Sequence, residues 1–338
     1  MNSTTLSTPH DLLAAVPFLV GYHPTDSLVV IAIKEGSIGM AMRVDFPSQD
    51  HAEIAARAVQ LASYVRREKA EAAIVVGYLP AELFEVEESL TPYTHAIAEQ
   101  GIEIKEAIEV RGARFRSILC ADLNCCPPEG SLIPPIVDSR ITAEQIALGR
   151  PLPFPSVLDM KESIAAMPRD RTLIAALKTI DLIDYEELEP SDVKLLQREG
   201  AQAIDRLCET YDRDGMSTDR NLIALVLTRL NDLQVRDYAM GLTTPESAQI
   251  LWAMWRWILR IAPKGYVAAV AVIFATASYE RGEGALAQRA LDRAFEDDQK
   301  YPMAKLLRRT FAAGWPPSSF TAMREELHPK ICASLFAE

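Results

Sequence analysis

Basic residues are in the minority in this chain: 35 lysines and arginines face 47 aspartates and glutamates, a formal net charge of −12. Phosphate binding draws its free energy from cations that release counterions, so nucleic acid and anionic lipid are disfavoured as partners. A glycine-rich phosphate loop is missing as well. No G-x-G-x-x-G follows the first strand-like run and G-x-x-x-x-G-K-[ST] occurs nowhere, so neither a dinucleotide nor a P-loop nucleotide site is supported. The apolar run 266–279 falls short of the ~20 residues a membrane span requires and reads as a buried core helix. Residues 1–9 hold neither a basic region nor an apolar stretch, so no secretory signal is expected. The five cysteines, Cys120, Cys125, Cys126, Cys208 and Cys332, are odd in number and unevenly spread. That pattern does not fit the disulfide framework of a small secreted domain, and a reducing, cytoplasmic compartment is expected.

What is present is enough for two packed units, since single domains cluster near ~100–150 residues and the chain has 338. Thr8 and Pro9 start a short helix that should stop before Pro17. The turn residues 21–27 feed the apolar run 28–33, a strand covered on both faces. Glu35, Gly36 and Ser37 suit a hairpin into 38–46, and Asp50 and Glu53 open a helix to about Arg67. A second buried strand follows over 72–77, a helix over 92–99, and a strand pair over 102–110 and 113–120. The order β-β-α-β-α-β-β predicts an α/β domain with one mixed β-sheet and flanking helices over 1–125. Prolines 127, 128, 134, 135, 151, 153 and 155 mark 126–155 as a proline-rich ordered linker, with one short helical signal beginning at Thr142.

From 156 to 338 the periodicity is helical, predicting an all-α C-terminal helical bundle. The expected helices are 157–167, 190–211, 218–231, 245–261, 266–281, 285–296, 303–313 and 318–327.

Three groups of residues carry candidate chemistry. Cys120, Cys125 and Cys126 in a C-x4-C-C pattern are candidate metal ligands or reactive thiols. Adjacent cysteines point apart and no histidine is near in sequence, so a buried structural corner is the favoured reading and no metal or cofactor is expected. His23, Asp26 and Ser27 are candidate catalytic groups at the mouth of the first strand, although Asp26 and Ser27 are also ordinary turn formers. Gly77 and Tyr78 end the second buried strand, where ligands of open α/β sheets bind. Trp252 and Trp255 share one helix face and Trp257 points elsewhere, so they are candidates for core packing or a partner surface. Arg111, Arg114 and Arg116 read as solvated charges.

The segments 13–17, 21–30 and 125–130, with Gly282-Glu283-Gly284-Ala285-Leu286-Ala287 and Ala290-Leu291-Asp292-Arg293-Ala294, resemble the actinobacterial family known as domain of unknown function 4192. The resemblance spans nearly the whole chain and implies no catalytic or binding residues. Where such sequences tend to have Asp-Pro after the last of these helices, this chain has Asp297-Asp298-Gln299, so a less sharp helix end is expected. The same stretch resembles a tetratricopeptide-type helix pair, with fewer than the ~3 repeats a solenoid needs. Two functions stay open: a non-catalytic protein-binding or regulatory module, self-association included, and a small-molecule enzyme, such as a hydrolase, between the 21–27 turn and the 120–126 corner.

Overall fold

The computed structural model describes residues 5–47, 50–83, 89–180 and 188–336; residues 1–4 of the stretch read above for a secretory signal lie outside them. The chain divides into two compact units, Met1–Asp159 and Met160–Glu338.

The first unit is a mixed sheet in the order β2-β1-β3-β4-β5-β6. Its strands are β1 (Ser27–Lys34), β2 (Ser37–Asp45), β3 (Ala72–Tyr78), β4 (Glu103–Arg111), β5 (Arg114–Ser117) and β6 (Ser131–Leu132). Its helices are α1 (Pro9–Val20), α2 (His51–Arg67), α3 (Thr91–Ala98) and α4 (Arg140–Ala147). Only β3 and β4 pair in parallel, joined through α3; β1 and β2 form the expected hairpin around Glu35 and Gly36. Alternate residues Leu28, Val30, Ala32, Ala73, Val75 and Ala107 meet Leu61, Val65, Tyr93 and Ile97 of α2 and α3 in the core. Their neighbours Val29, Ile31 and Val76 are buried too, which is why the runs 28–33 of β1 and 72–77 of β3 are apolar throughout.

Three details differ from expectation. Helix α1 continues through Pro17, which forfeits one backbone donor, and closes at Gly21 in the left-handed region (φ 87°). Strand β5 ends at Ser117, well before Cys120. The proline-rich segment contains, besides the short helix α4 expected near Thr142, the strand β6, and Phe154 returns to the start of the unit, where its N–H donates to Gly21 O and its carbonyl accepts from His23 N, both at 3.0 Å.

Helix α5 (Val157–Glu162) bridges the division in sequence, and the second unit is helical among its described residues. It comprises α6 (Arg171–Thr179), α7 (Pro190–Asp214), α8 (Arg220–Arg229), α9 (Leu233–Gly241), α10 (Ala248–Ile261), α11 (Val267–Glu280), α12 (Gly284–Asp297), α13 (Pro302–Ala312) and α14 (Pro317–Phe336). Helix α11 is buried from Val267 to Ser278, the core helix its composition implies. It packs on α12 over Ala287, Ala290 and Ala294, whose small side chains permit close approach.

Helix α12 ends sharply at Asp297, with Asp298 already extended (φ −138°, ψ 104°), and the Asp297 side chain serves the neighbouring helix. Its carboxylate accepts from Gly265 N, Val267 N and Ala268 N at 2.6, 2.9 and 3.0 Å, capping α11 across the pair. Helices α6 and α9 were not expected, though Asp170 and Asp232 cap them through Leu173 N and through Gln234 N and Val235 N. Helix α14 passes through Pro329 where a stop at Leu327 was expected.

Candidate functional site

The turn before β1 is built for structure. Ser27 Oγ donates its one hydrogen to Thr25 O at 2.5 Å and accepts from Arg43 Nε at 2.7 Å, so the hydroxyl has no proton left for His23. Asp26 is exposed, sits at φ 45°, and its carbonyl receives Phe46 N. Burial holds His23 below the usual imidazole range. At the end of β3, Gly77 leaves room for Leu90: a Cβ there would lie 2.5 Å from Leu90 Cδ2. The adjoining Tyr78 is largely enclosed, and burial pushes its phenol well above the ordinary value.

Of the three arginines expected to be solvated charges, Arg114 is exposed, whereas Arg111 and Arg116 are half-buried against a carboxylate. Glu109 on β4 is fully buried, and its Oε2 accepts from Arg111 Nη2 and Arg116 Nε, each at 2.9 Å. Its Oε1 accepts from Ser89 Oγ at 2.7 Å. Burial alone would raise this carboxyl, but the donors outweigh it and hold the group below the usual range. Arg114 instead donates to Gly130 O at 2.6 Å.

The three cysteines do come together, although not as a buried corner: Cys125 is exposed and Cys120 and Cys126 are half-buried. Their sulfurs all lie within 4.8 Å of one another. Sequence reasoning had the adjacent pair diverging. The turn at Asp122 overrides that, since its carbonyl accepts from both Cys125 N (3.1 Å) and Cys126 N (2.8 Å) and swings the two residues toward Cys120.

In the helical unit the tryptophans separate by role. Trp255 is core, and Trp257 lies against Tyr211 with ring centroids 5.7 Å apart. Trp252 is half-buried, donating to Ser278 Oγ at 2.9 Å, with the Arg281 and Arg256 guanidiniums 4.9 and 5.4 Å from its ring centroid.

That stack leads to a feature no sequence pattern signalled. Residues 163–167, the non-helical chain leaving α5, are held by arginines of α10 and α12. Arg256 Nε donates to Ser163 O (3.1 Å), Arg293 Nη1 to Ile164 O (2.5 Å), and Arg260 Nε to Ala165 O (3.4 Å). Met167 N donates to Arg260 O at 2.7 Å. Burial, with Arg260 adding to it, holds Arg256 and Arg293 below the ordinary arginine range, against the opposing pull of Glu283 on the first and of Glu296 and Asp297 on the second. Among the described residues none of the three arginines forms an ion pair with a carboxylate; main-chain carbonyls are their acceptors.

A second missed group joins α7, α9 and α14. Tyr238 Oη donates to Asp205 Oδ1 at 2.7 Å, the His328 ring lies 5.5 Å from the Tyr238 ring, and Cys332 Sγ is 3.5 Å from His328 Nε2. Burial lowers His328 and raises Cys332, which favours the neutral forms of both thiol and imidazole. His328 and Cys332 could not be read as neighbours while the last helix was expected to end at Leu327.

Residues 9–318 match the family model described as Domain of unknown function (DUF4192). The chain belongs to this family. Membership fixes the kinship of nearly the whole chain and assigns no activity to it. No curated protein and no solved structure matches. None of the described helices is long and apolar enough to cross a membrane.

Proposed function

We propose that this family member is a non-catalytic, cytoplasmic protein-binding module whose helical unit recognises an acidic main-chain segment of a partner. The observation that carries this reading is the grip of Arg256, Arg260 and Arg293 on residues 163–165. Desolvating a guanidinium costs free energy that neutral carbonyls offset weakly, whereas a carboxylate offers bidentate, charge-assisted pairs roughly twice as strong. The 163–167 segment therefore acts as a cis occupant of a clamp that a carboxylate-bearing peptide fills better. The neutral Cys332 and His328 pair and the committed hydroxyl of Ser27 favour recognition over nucleophilic catalysis.

The test is comparative affinity capture from native lysate with wild type and the Arg256→Gln/Arg293→Gln variant, read by quantitative mass spectrometry with light scattering alongside. Proteins retained by the wild type, released by salt and lost from the variant are expected. Identical capture by both proteins, or a monomer that enriches nothing, contradicts the reading.

A further inference from the structure

The loop between β5 and β6 spans 118–130, far longer than the ~2–5 residues that usually join paired strands, and loops of this length tend to be functional. Its base is fastened well. Phe115 and Arg114 pair with Ser131 and Leu132, and Gly130 closes the loop in the left-handed region (φ 74°), where an added Cβ would lie 2.9 Å from Phe115 O. Its tip has little to hold it: Leu119 and Leu123 are 51% and 68% exposed. What the tip does have is an ordered turn. Asp122 accepts Asn124 N on its own carboxylate at 2.9 Å and both cysteine amides on its carbonyl, and this turn collects three sulfurs in a loop whose core contact is Ile118 at its base.

We propose that this loop binds a thiophilic d10 cation, with zinc as the reference ion, through the sulfurs of Cys120, Cys125 and Cys126. Zinc–sulfur bonds are about 2.3 Å, so the edge of a tetrahedral zinc–thiolate site is about 3.8 Å. Sulfurs all within 4.8 Å of one another are about 1 Å from that arrangement, and side-chain rotation in an exposed loop covers the difference. On binding, three S–H bonds break and three zinc–sulfur bonds form, with the three protons passing to solvent and no change in oxidation state. Three protein ligands leave the fourth position for water or an exogenous ligand, as in open zinc sites. The ion supplies the cross-link that the loop's side chains do not. This inference concerns the sheet unit and is independent of the arginine clamp.

The experiment uses the full chain, purified under reducing conditions and freed of metal with a chelator, then titrated with zinc and, as a spectroscopic probe, cobalt(II). One zinc per chain is expected, with sulfur-to-cobalt charge-transfer absorption in the near ultraviolet and the visible bands of a tetrahedral ion. Each of Cys120→Ser, Cys125→Ser and Cys126→Ser should weaken zinc by more than the ~10–100-fold typical of losing an outer-shell partner. The triple variant should bind none at this site, with its circular dichroism confirming the fold. Cys208→Ser/Cys332→Ser should leave the stoichiometry unchanged. A reduced wild type that takes up no zinc, or stoichiometric zinc that persists in the triple variant, overturns the proposal.

Discussion

Replacing Glu109 by alanine tests the electrostatic reading of the sheet unit most severely. The side chain is wholly buried and accepts from Arg111, Arg116 and Ser89. Breaking a buried ion pair by deleting one partner costs ~3–5 kcal/mol, because the remaining charge is stranded. Arg111 and Arg116 keep 23% and 26% of their side-chain surface in solvent, which sets the expectation at the lower end, about 3 kcal/mol. For a unit of this size that is a fall of about 6–12 °C in Tm. Calorimetry of the full chain reads it. All four tryptophans, 252, 255, 257 and 315, are in the helical unit, so their fluorescence serves as an internal control that should not move. A Glu109→Leu/Arg111→Met/Arg116→Met variant removes the carboxylate together with both guanidiniums that donate to it and should be more stable than Glu109→Ala alone, since neither arginine is left facing an apolar side chain in place of its carboxylate. Because the folded carboxyl lies below its unfolded value of ~4.3, its contribution is complete above that pH and is lost as pH falls through the folded value. The acid limb of the stability profile should therefore flatten in Glu109→Gln. A Glu109→Ala protein within about 0.5 kcal/mol of wild type, or a triple variant less stable than the single one, would refute this reasoning.

Three other outcomes are expected. Gly241→Ala places a Cβ 2.0 Å from His328 Nδ1, so α14 must shift off α9, and tryptophan-monitored unfolding should show a loss of about 1–3 kcal/mol; an unchanged midpoint contradicts the packing. Asp297→Ala removes the cap shared by Gly265, Val267 and Ala268 and should cost about 0.5–2 kcal/mol by denaturant unfolding, whereas neutrality would mean α11 needs no cap. Alkylation by iodoacetamide at pH 8 in metal-free protein should reach exposed Cys125 first and Cys208 last, since burial pushes the Cys208 thiol up to about 12; mass mapping with the reverse order defeats the assignment.

The regular skeleton was legible because its signals are local. Apolar runs at 28–33 and 72–77 located β1 and β3, and helical periodicity located α7, α10, α11, α12 and α13. The caps Asp170 and Asp232 were visible in the sequence, but α6 and α9 have only nine residues each, too few for periodicity to register. The chemistry was far less legible, because it depends on partners set by the fold. Arg256 and Ser163 are remote in sequence, as are His328 and Asp205, and no spacing rule joins them. The cysteine triplet was seen as unusual but misjudged as buried and diverging, since its convergence depends on two hydrogen bonds to one carbonyl, that of Asp122.

The central claim is that Arg256, Arg260 and Arg293 form a clamp whose cis occupant yields to an acidic segment. Amide hydrogen exchange across 163–168, followed by mass spectrometry with and without a glutamate-rich peptide, addresses it directly. The account predicts faster exchange at Met167 when the peptide is added, and the same rise in Arg256→Gln/Arg293→Gln without it. Protection that is unaltered by the peptide, and equally unaltered by the loss of both arginines, would contradict the account.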